Sequence, residues 1–190
     1  MKKSRTLVLT ATMRSPTIGS PDQTQKRAHC VKNHRPRRAT APDFPACAGV
    51  PEGDQETQTH AEKVHLVGHS LGGVVTAQAI ASGRLTGKVD TVITLGSPFG
   101  GSPWAHLLPF GPIIPELREG SPLLRRLASA PIPDGVRWLA FTATLDIIVP
   151  GLRSVPPHPQ VETITVGGVG HLGMLLSRQV VGRIVAALPA

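Results

Sequence analysis

The sequence predicts an α/β fold, a parallel β-sheet with helices on both of its faces, and three observations carry that prediction. An apolar run with β-branched residues, Val64 to Val67, stops at Gly68-His69-Ser70-Leu71-Gly72-Gly73 and passes directly into a proline-free, helix-compatible segment, Val74 to Ala81. A second apolar run, Asp90-Thr91-Val92-Ile93-Thr94-Leu95, has the continuous apolar, β-branched character of a strand covered on both faces. Near the end, Leu175, Leu176, Val180, Ile184, Val185 and Leu188 recur at helical spacing within Leu172 to Leu188, forming one apolar face. Strands that alternate with helical segments argue for parallel pairing through crossovers.

Taken in order, residues 1–60 are rich in Arg, Lys, Thr, Pro, Gln and His. Apart from a single strand candidate at Thr6-Leu7-Val8-Leu9-Thr10, they show neither alternation nor helical periodicity. Such a stretch buries too little apolar surface to offset its ordering entropy, so mostly disorder is expected. The formal charge of +8 is concentrated here: residues 1–50 hold ten Lys/Arg against two Asp/Glu, and residues 51–190 hold ten of each. A balanced remainder is that of a compact domain and excludes a nucleic-acid surface there, while the basic run Lys32 to Arg38 reads as a solvated tail. Cys30 and Cys47, the only two cysteines, have no metal-site or disulfide-framework spacing. No window reaches the roughly 18 apolar residues that span a bilayer, and Leu7-Val8-Leu9 is too short for a signal-peptide core, so a cytoplasmic protein without stable membrane insertion is expected.

From about residue 61 the composition changes and a domain over 61–190 is expected. Lys63 to Gly68 is its first strand and Leu71 to Ser82 its first helix, with Gly83 placed to end it in the left-handed conformation. Asp90 to Leu95 is the next strand, stopped by Gly96-Ser97-Pro98. Residues 99–135 are proline-rich without strand pattern and contain a short helix candidate at Leu123 to Leu127. Val136 to Leu145 is a third strand, followed by Asp146, and Gln160 to Val166 alternates as a half-buried edge strand does. The last helix is then expected over Leu172 to Leu188.

The strand–turn–helix at Gly68-His69-Ser70-Leu71-Gly72 puts a serine at the strained apex of a sharp turn, with its Oγ projecting from the sheet's carboxyl edge. Together with Thr94-Leu95-Gly96-Ser97-Pro98-Phe99-Gly100-Gly101-Ser102, this stretch resembles the α/β-hydrolase superfamily, in particular its bacterial lipases and esterases, over roughly residues 60–188. The resemblance implies an α/β-hydrolase-like parallel sheet and a serine hydrolase working without cofactor or metal on a small-molecule or lipid ester. It also implies that residues 99–135 form a cap. An apolar cap suits an acyl chain, with His69, Phe99, Leu108, Phe110 and Ile113 as the substrate-lining candidates; the alternative, a loop packing its own leucines under itself, buries the same residues.

Serine chemistry needs a base, a group orienting that base, and donors for the oxyanion. In an open parallel sheet all of them gather at the carboxyl ends of the strands. Asp146 follows a strand and meets that condition, whereas Asp90 and Asp134 fall at the opposite edge. Of eight histidines, His29, His34 and His60 lie in the unpatterned segment, His65 lies within a strand, His69 flanks the serine, and His106 and His158 sit in loops. Only His171 follows a strand end, in the glycine-rich Gly167-Gly168-Val169-Gly170, and in the order Ser, Asp, His that the superfamily uses. Ser70, Asp146 and His171 are therefore the expected catalytic residues, and the backbone N–H of Leu71 one oxyanion donor.

Relatives supply the second donor from a His-Gly-type loop after an earlier strand, and residues 1–60 contain no such motif. The N-terminal part of the sheet is accordingly expected to be missing. That would leave the Ser70 strand with an open edge and self-association as a consequence, with Leu7-Val8-Leu9 the only candidate to fill the place. Two further readings stand beside the esterase: an impaired hydrolase remnant, and a non-catalytic binding protein on the same scaffold.

Overall fold

The computed structural model describes residues 4–10, 62–107 and 113–188. Five strands, β1 (Ser4–Thr10), β2 (Lys63–His69), β3 (Val89–Leu95), β4 (Arg137–Ala143) and β5 (Val161–Val166), pair in parallel in that same order, β1-β2-β3-β4-β5. Helix α1 (Leu71–Ala81) links β2 to β3. Two short 3-10 turns, Pro103–His106 and Pro115–Leu117, and helix α2 (Pro122–Ser129) lie between β3 and β4. A third 3-10 turn, Gly151–Ser154, follows β4, and α3 (Gly173–Leu176) and α4 (Arg178–Ala187) follow β5.

A sheet built in sequential order places its connecting helices on one face when every crossover has the same hand, so the other face must be covered from elsewhere. The side-chain alternation matches that division. Leu66, Val92 and Trp138 join Val74, Ala77 and Ile80 of α1 and Leu123, Leu124 and Leu127 of α2 in one core cluster. Their chain neighbours Val67, Ile93 and Leu139 point the other way, into a second cluster with Phe141, Val166, Met174 of α3 and Val180 of α4. Val92, Ile93, Ala140 and Phe141 have no exposed surface, as the continuous apolar runs of β3 and β4 require.

Several boundaries differ from the sequence reading. β1 pairs with β2 along its whole length, from Ser4 beside Lys63 to Thr10 beside His69. The elbow strand therefore has a neighbour on each side, and the open edge expected at β2 is occupied. Residues 4–10 thus belong to the sheet and not to a tail, while residues 11–61, for which mostly disorder is expected, lie outside the described residues. β4 ends at Ala143, two residues early, because Asp146 N–H turns back to the Ala143 carbonyl. The single helix expected over Leu172 to Leu188 breaks at Ser177, whose backbone is extended and whose Oγ accepts the Val180 N–H of α4. The break re-phases the apolar face: Val180 is buried with Ile184 and Leu188 packed beside it, while Leu176 and Val185 are 86% and 65% exposed. Gly83 has φ 75° just after α1, the helix stop expected of it.

The proline-rich insertion packs into the core. Ile114, Leu117, Leu123, Leu124 and Leu127 are buried in the α1 cluster, and the Ser121 hydroxyl caps α2 by accepting the Leu124 N–H. No helix among the described residues is long and apolar enough to cross a membrane.

Candidate active site

Ser70 stands where β2 gives way to α1, with φ 53° and ψ −124°. Among the described residues it is the only non-glycine with positive φ, a conformation that costs about 1–3 kcal/mol and persists only when the surroundings over-determine it. They do: its N–H donates to the Leu95 carbonyl of β3 at 2.9 Å, and its own carbonyl accepts the Gly73 N–H at 3.1 Å. The approach of strand to helix needs glycine on both sides. A Cβ added at Gly68 would lie 2.7 Å from the Gly73 backbone, and one at Gly73 would strike the Ser97 Oγ. The Ser70 hydroxyl makes no capping bond to α1, which leaves it uncommitted. Leu71, as the first residue of α1, carries one of the N–H groups that a helix leaves without an internal partner.

Asp146 and His171 are brought together at the carboxyl edge. The Asp146 side chain is fully buried and that of His171 is 9% exposed. His171 Nδ1–H donates to Asp146 Oδ2 at 2.8 Å. The other carboxylate oxygen, Oδ1, accepts the Ile148 and Val149 N–H groups at 2.9 and 2.8 Å, so the carboxylate is fixed from behind while facing the imidazole. The two loops are joined as well, since Leu145 N–H donates to the Val169 carbonyl.

Gly96 is the floor beneath this pair, and the sequence reading assigned it only the role of ending a strand. Its φ is 53°, and an added Cβ would lie 2.6 Å from Met174 Cε, 2.9 Å from Asp146 Oδ2 and 3.1 Å from His171 Nδ1. Gly96 follows the Leu95 carbonyl that receives the Ser70 N–H, so the serine turn and the Asp–His pair are organised around the same end of β3. Ser102 and Trp104 were also missed. Ser102 Oγ donates to the Ile148 carbonyl at 2.6 Å and Trp104 Nε1 to the Ile147 carbonyl at 2.9 Å, tying the insertion to the Asp146 loop. These contacts join residues more than forty positions apart, and only the glycine after a buried strand left a local trace in the sequence.

The substrate-lining candidates fare differently. Phe99 is 7% exposed and meets Trp138 edge-on with ring centroids 6.0 Å apart, and Ile113 packs against the same cluster. Phe99 is therefore a core residue and Ile113 a partly buried one beside it, where the insertion packs on α1 and β4. Leu108 and Phe110 lie outside the described residues. His69 turns its ring toward His171: Nε2–H donates to the His171 backbone carbonyl at 3.0 Å, and the ring centroids are 4.7 Å apart at a 48° tilt. Burial pushes the His69 imidazole below its ordinary 6.5 and a charge on His171 would add to that, while the bond to the His171 carbonyl and the Asp146 carboxylate oppose it. It is the neutral ring that occupies this position at pH 7.

The excluded residues lie elsewhere. His65 is buried in β2 with Nδ1 3.6 Å from Asp90 Oδ2, near the amino ends of their strands. His106 is exposed, Asp134 lies in the turn before β4, and His158 Nε2–H donates to the Leu127 carbonyl of α2.

Comparison with known proteins agrees with this fold. The family described as the PGAP1-like alpha/beta domain matches residues 47–108, which include the elbow and β3. No curated protein sequence matches the chain. Among solved structures, Bacillus licheniformis lipase BlEst2 in its mature form is similar with a TM-score of 0.57 at 16% identity, over 68% of this chain and 66% of that one. Aspergillus fumigatus lipase B gives 0.53 at 19% identity, over 60% and 34%. The product of gene lin2722 of Listeria innocua gives 0.51 at 15% identity, over 71% and 62%, so the chain spans about three fifths of that protein's length. Parallel strands, the strained serine between β2 and α1, and these likenesses together give this segment of the chain an α/β-hydrolase fold.

Proposed function

We propose that the protein is a serine hydrolase of carboxylic esters, in which Ser70 is the nucleophile, His171 the base and Asp146 the residue that orients it. The observation that carries this reading is the buried Asp146–His171 hydrogen bond at 2.8 Å, set on Gly96 at the same strand end that anchors the strained Ser70. With Nδ1–H held by the carboxylate, Nε2 of His171 is the nitrogen left to accept the Ser70 proton as Oγ attacks the ester carbonyl. Asp146 keeps that tautomer and stabilises the imidazolium as it forms. The oxyanion receives the Leu71 N–H, the alcohol leaves with the proton from His171, and water activated by the same ring releases the acid.

Ester chemistry is favoured over other acyl transfer by the fold's likeness to structures described as lipases. The acid group is proposed to be apolar, and the substrate a lipid or small-molecule ester, because exposed Trp104 and Leu107 of the insertion and Leu145, Ile147 and Leu172 beside Asp146 and His171 offer it an apolar approach.

Labelling with a fluorophosphonate tests the reading. Wild-type protein is expected to be labelled and to hydrolyse p-nitrophenyl butyrate, and Ser70→Ala to do neither. Labelling with negligible turnover would identify a chain that has the nucleophile but lacks a complete oxyanion site. Folded wild-type protein that is never labelled would end the hydrolase reading.

A further inference from the structure

The proposed mechanism leaves His69 without a task, yet it is the residue tied most directly to both halves of the site. It immediately precedes Ser70 at the end of β2, and its Nε2–H grips the main-chain carbonyl of His171 at 3.0 Å. A carbonyl can only accept, so Nε2 carries the proton. The bond links the nucleophile's turn to the base's loop across 102 positions of sequence. Other restraints on that loop are Asp146 on Nδ1, Leu145 on the Val169 carbonyl, Met174 on the Gly170 carbonyl, and the Thr144 hydroxyl on the Gly168 N–H. None of them sets the distance from the base to the serine.

We infer that His69 is a positioning residue, whose Nε2–H clamps the His171 carbonyl and so fixes the imidazole relative to Ser70. The idea rests on the hydrolase reading given above. Ring contact contributes to the clamp, because centroids 4.7 Å apart at a 48° tilt leave the His171 ring little room to turn toward β2. A neutral ring suits the task. A cation there would oppose the charge that His171 gains when it accepts the serine proton, and the facing titratable groups are His171 itself and Asp146.

The test uses the full chain. His69→Phe keeps a ring and removes the donor, His69→Leu removes both, and His69→Gln keeps an N–H at the end of a side chain of comparable reach. Phe and Leu are expected to slow fluorophosphonate labelling about tenfold, the lower part of the range by which misplacement of a reacting group slows a reaction. KM for p-nitrophenyl butyrate should hold, and Gln should recover most of the rate. A readout independent of turnover is amide hydrogen exchange across residues 169–174 in the Ser70→Ala background. It should quicken in Phe and Leu and return toward wild type in Gln. Equal exchange in all four proteins, or equal loss of rate in Phe, Leu and Gln, overturns the inference. If wild-type protein is not labelled at all, the hydrolase reading fails by itself, and the exchange experiment still decides whether His69 holds the loop.

Discussion

Asp146 divides its carboxylate between two tasks: Oδ1 is occupied by two backbone N–H groups and Oδ2 by His171. An Asn at this position can satisfy only one of these with its oxygen, and it would favour the wrong tautomer of the imidazole. Asp146→Asn is therefore expected to lower kcat by about 10³–10⁴ with the fold intact, checked by steady-state hydrolysis beside circular dichroism. His69 gives a pH dependence whose sign follows from burial. Its pKa is lower folded than unfolded, so the unfolded chain binds the proton more tightly, and this contribution to stability is full above 6.5 and lost as pH falls through the depressed folded value. Urea unfolding between pH 7.5 and about 5 should register that loss, and His69→Phe should show a shallower decline; parallel curves would refute the assignment. At this scale the sequence was most legible where chemistry and topology coincided. Ser70, Asp146 and His171 each follow a strand end, so a rule about edges selects them as candidates. Gly96, Ser102 and Trp104 act on partners distant in sequence, and no local pattern announces them.

Elements were legible in type and less so in extent. β3 declares itself by an unbroken apolar run. The terminal helix was read as continuous because its apolar spacing passes smoothly through Ser177, yet a serine that caps the next turn ends one helix and begins another. Ser177→Ala is expected to destabilise the protein by about 1 kcal/mol through loss of the bond to the Val180 N–H, measured as a shift in urea midpoint without change in slope. The insertion between β3 and β4 was open to two readings, a wall for substrate or a layer of core. Phe99 and Ile113 pack with the second, on the apolar surface that α1 and Trp138 present.

For the molecule as a whole, parallel order and coverage of both faces followed from strand composition and the late helix. The place of β1 was legible only as a candidate: Thr6 to Thr10 reads as a strand, but pairing with a partner more than fifty residues away is not written in periodicity. Its pairing predicts the outcome of removing it. Deletion of residues 1–10 is expected to uncover β2 and promote self-association, visible by light scattering and size exclusion; an unchanged oligomeric state and equal stability would show that the pairing contributes little. The sequential order of the remaining strands has a consequence during synthesis. The serine turn leaves the ribosome roughly a hundred residues ahead of His171, whose carbonyl His69 bonds, and each later strand can settle on the one before it. On the proposed mechanism a half-made chain would thus display a contorted hydroxyl with nothing to draw off its proton, and reactivity would be withheld until the final loop closes over the rim.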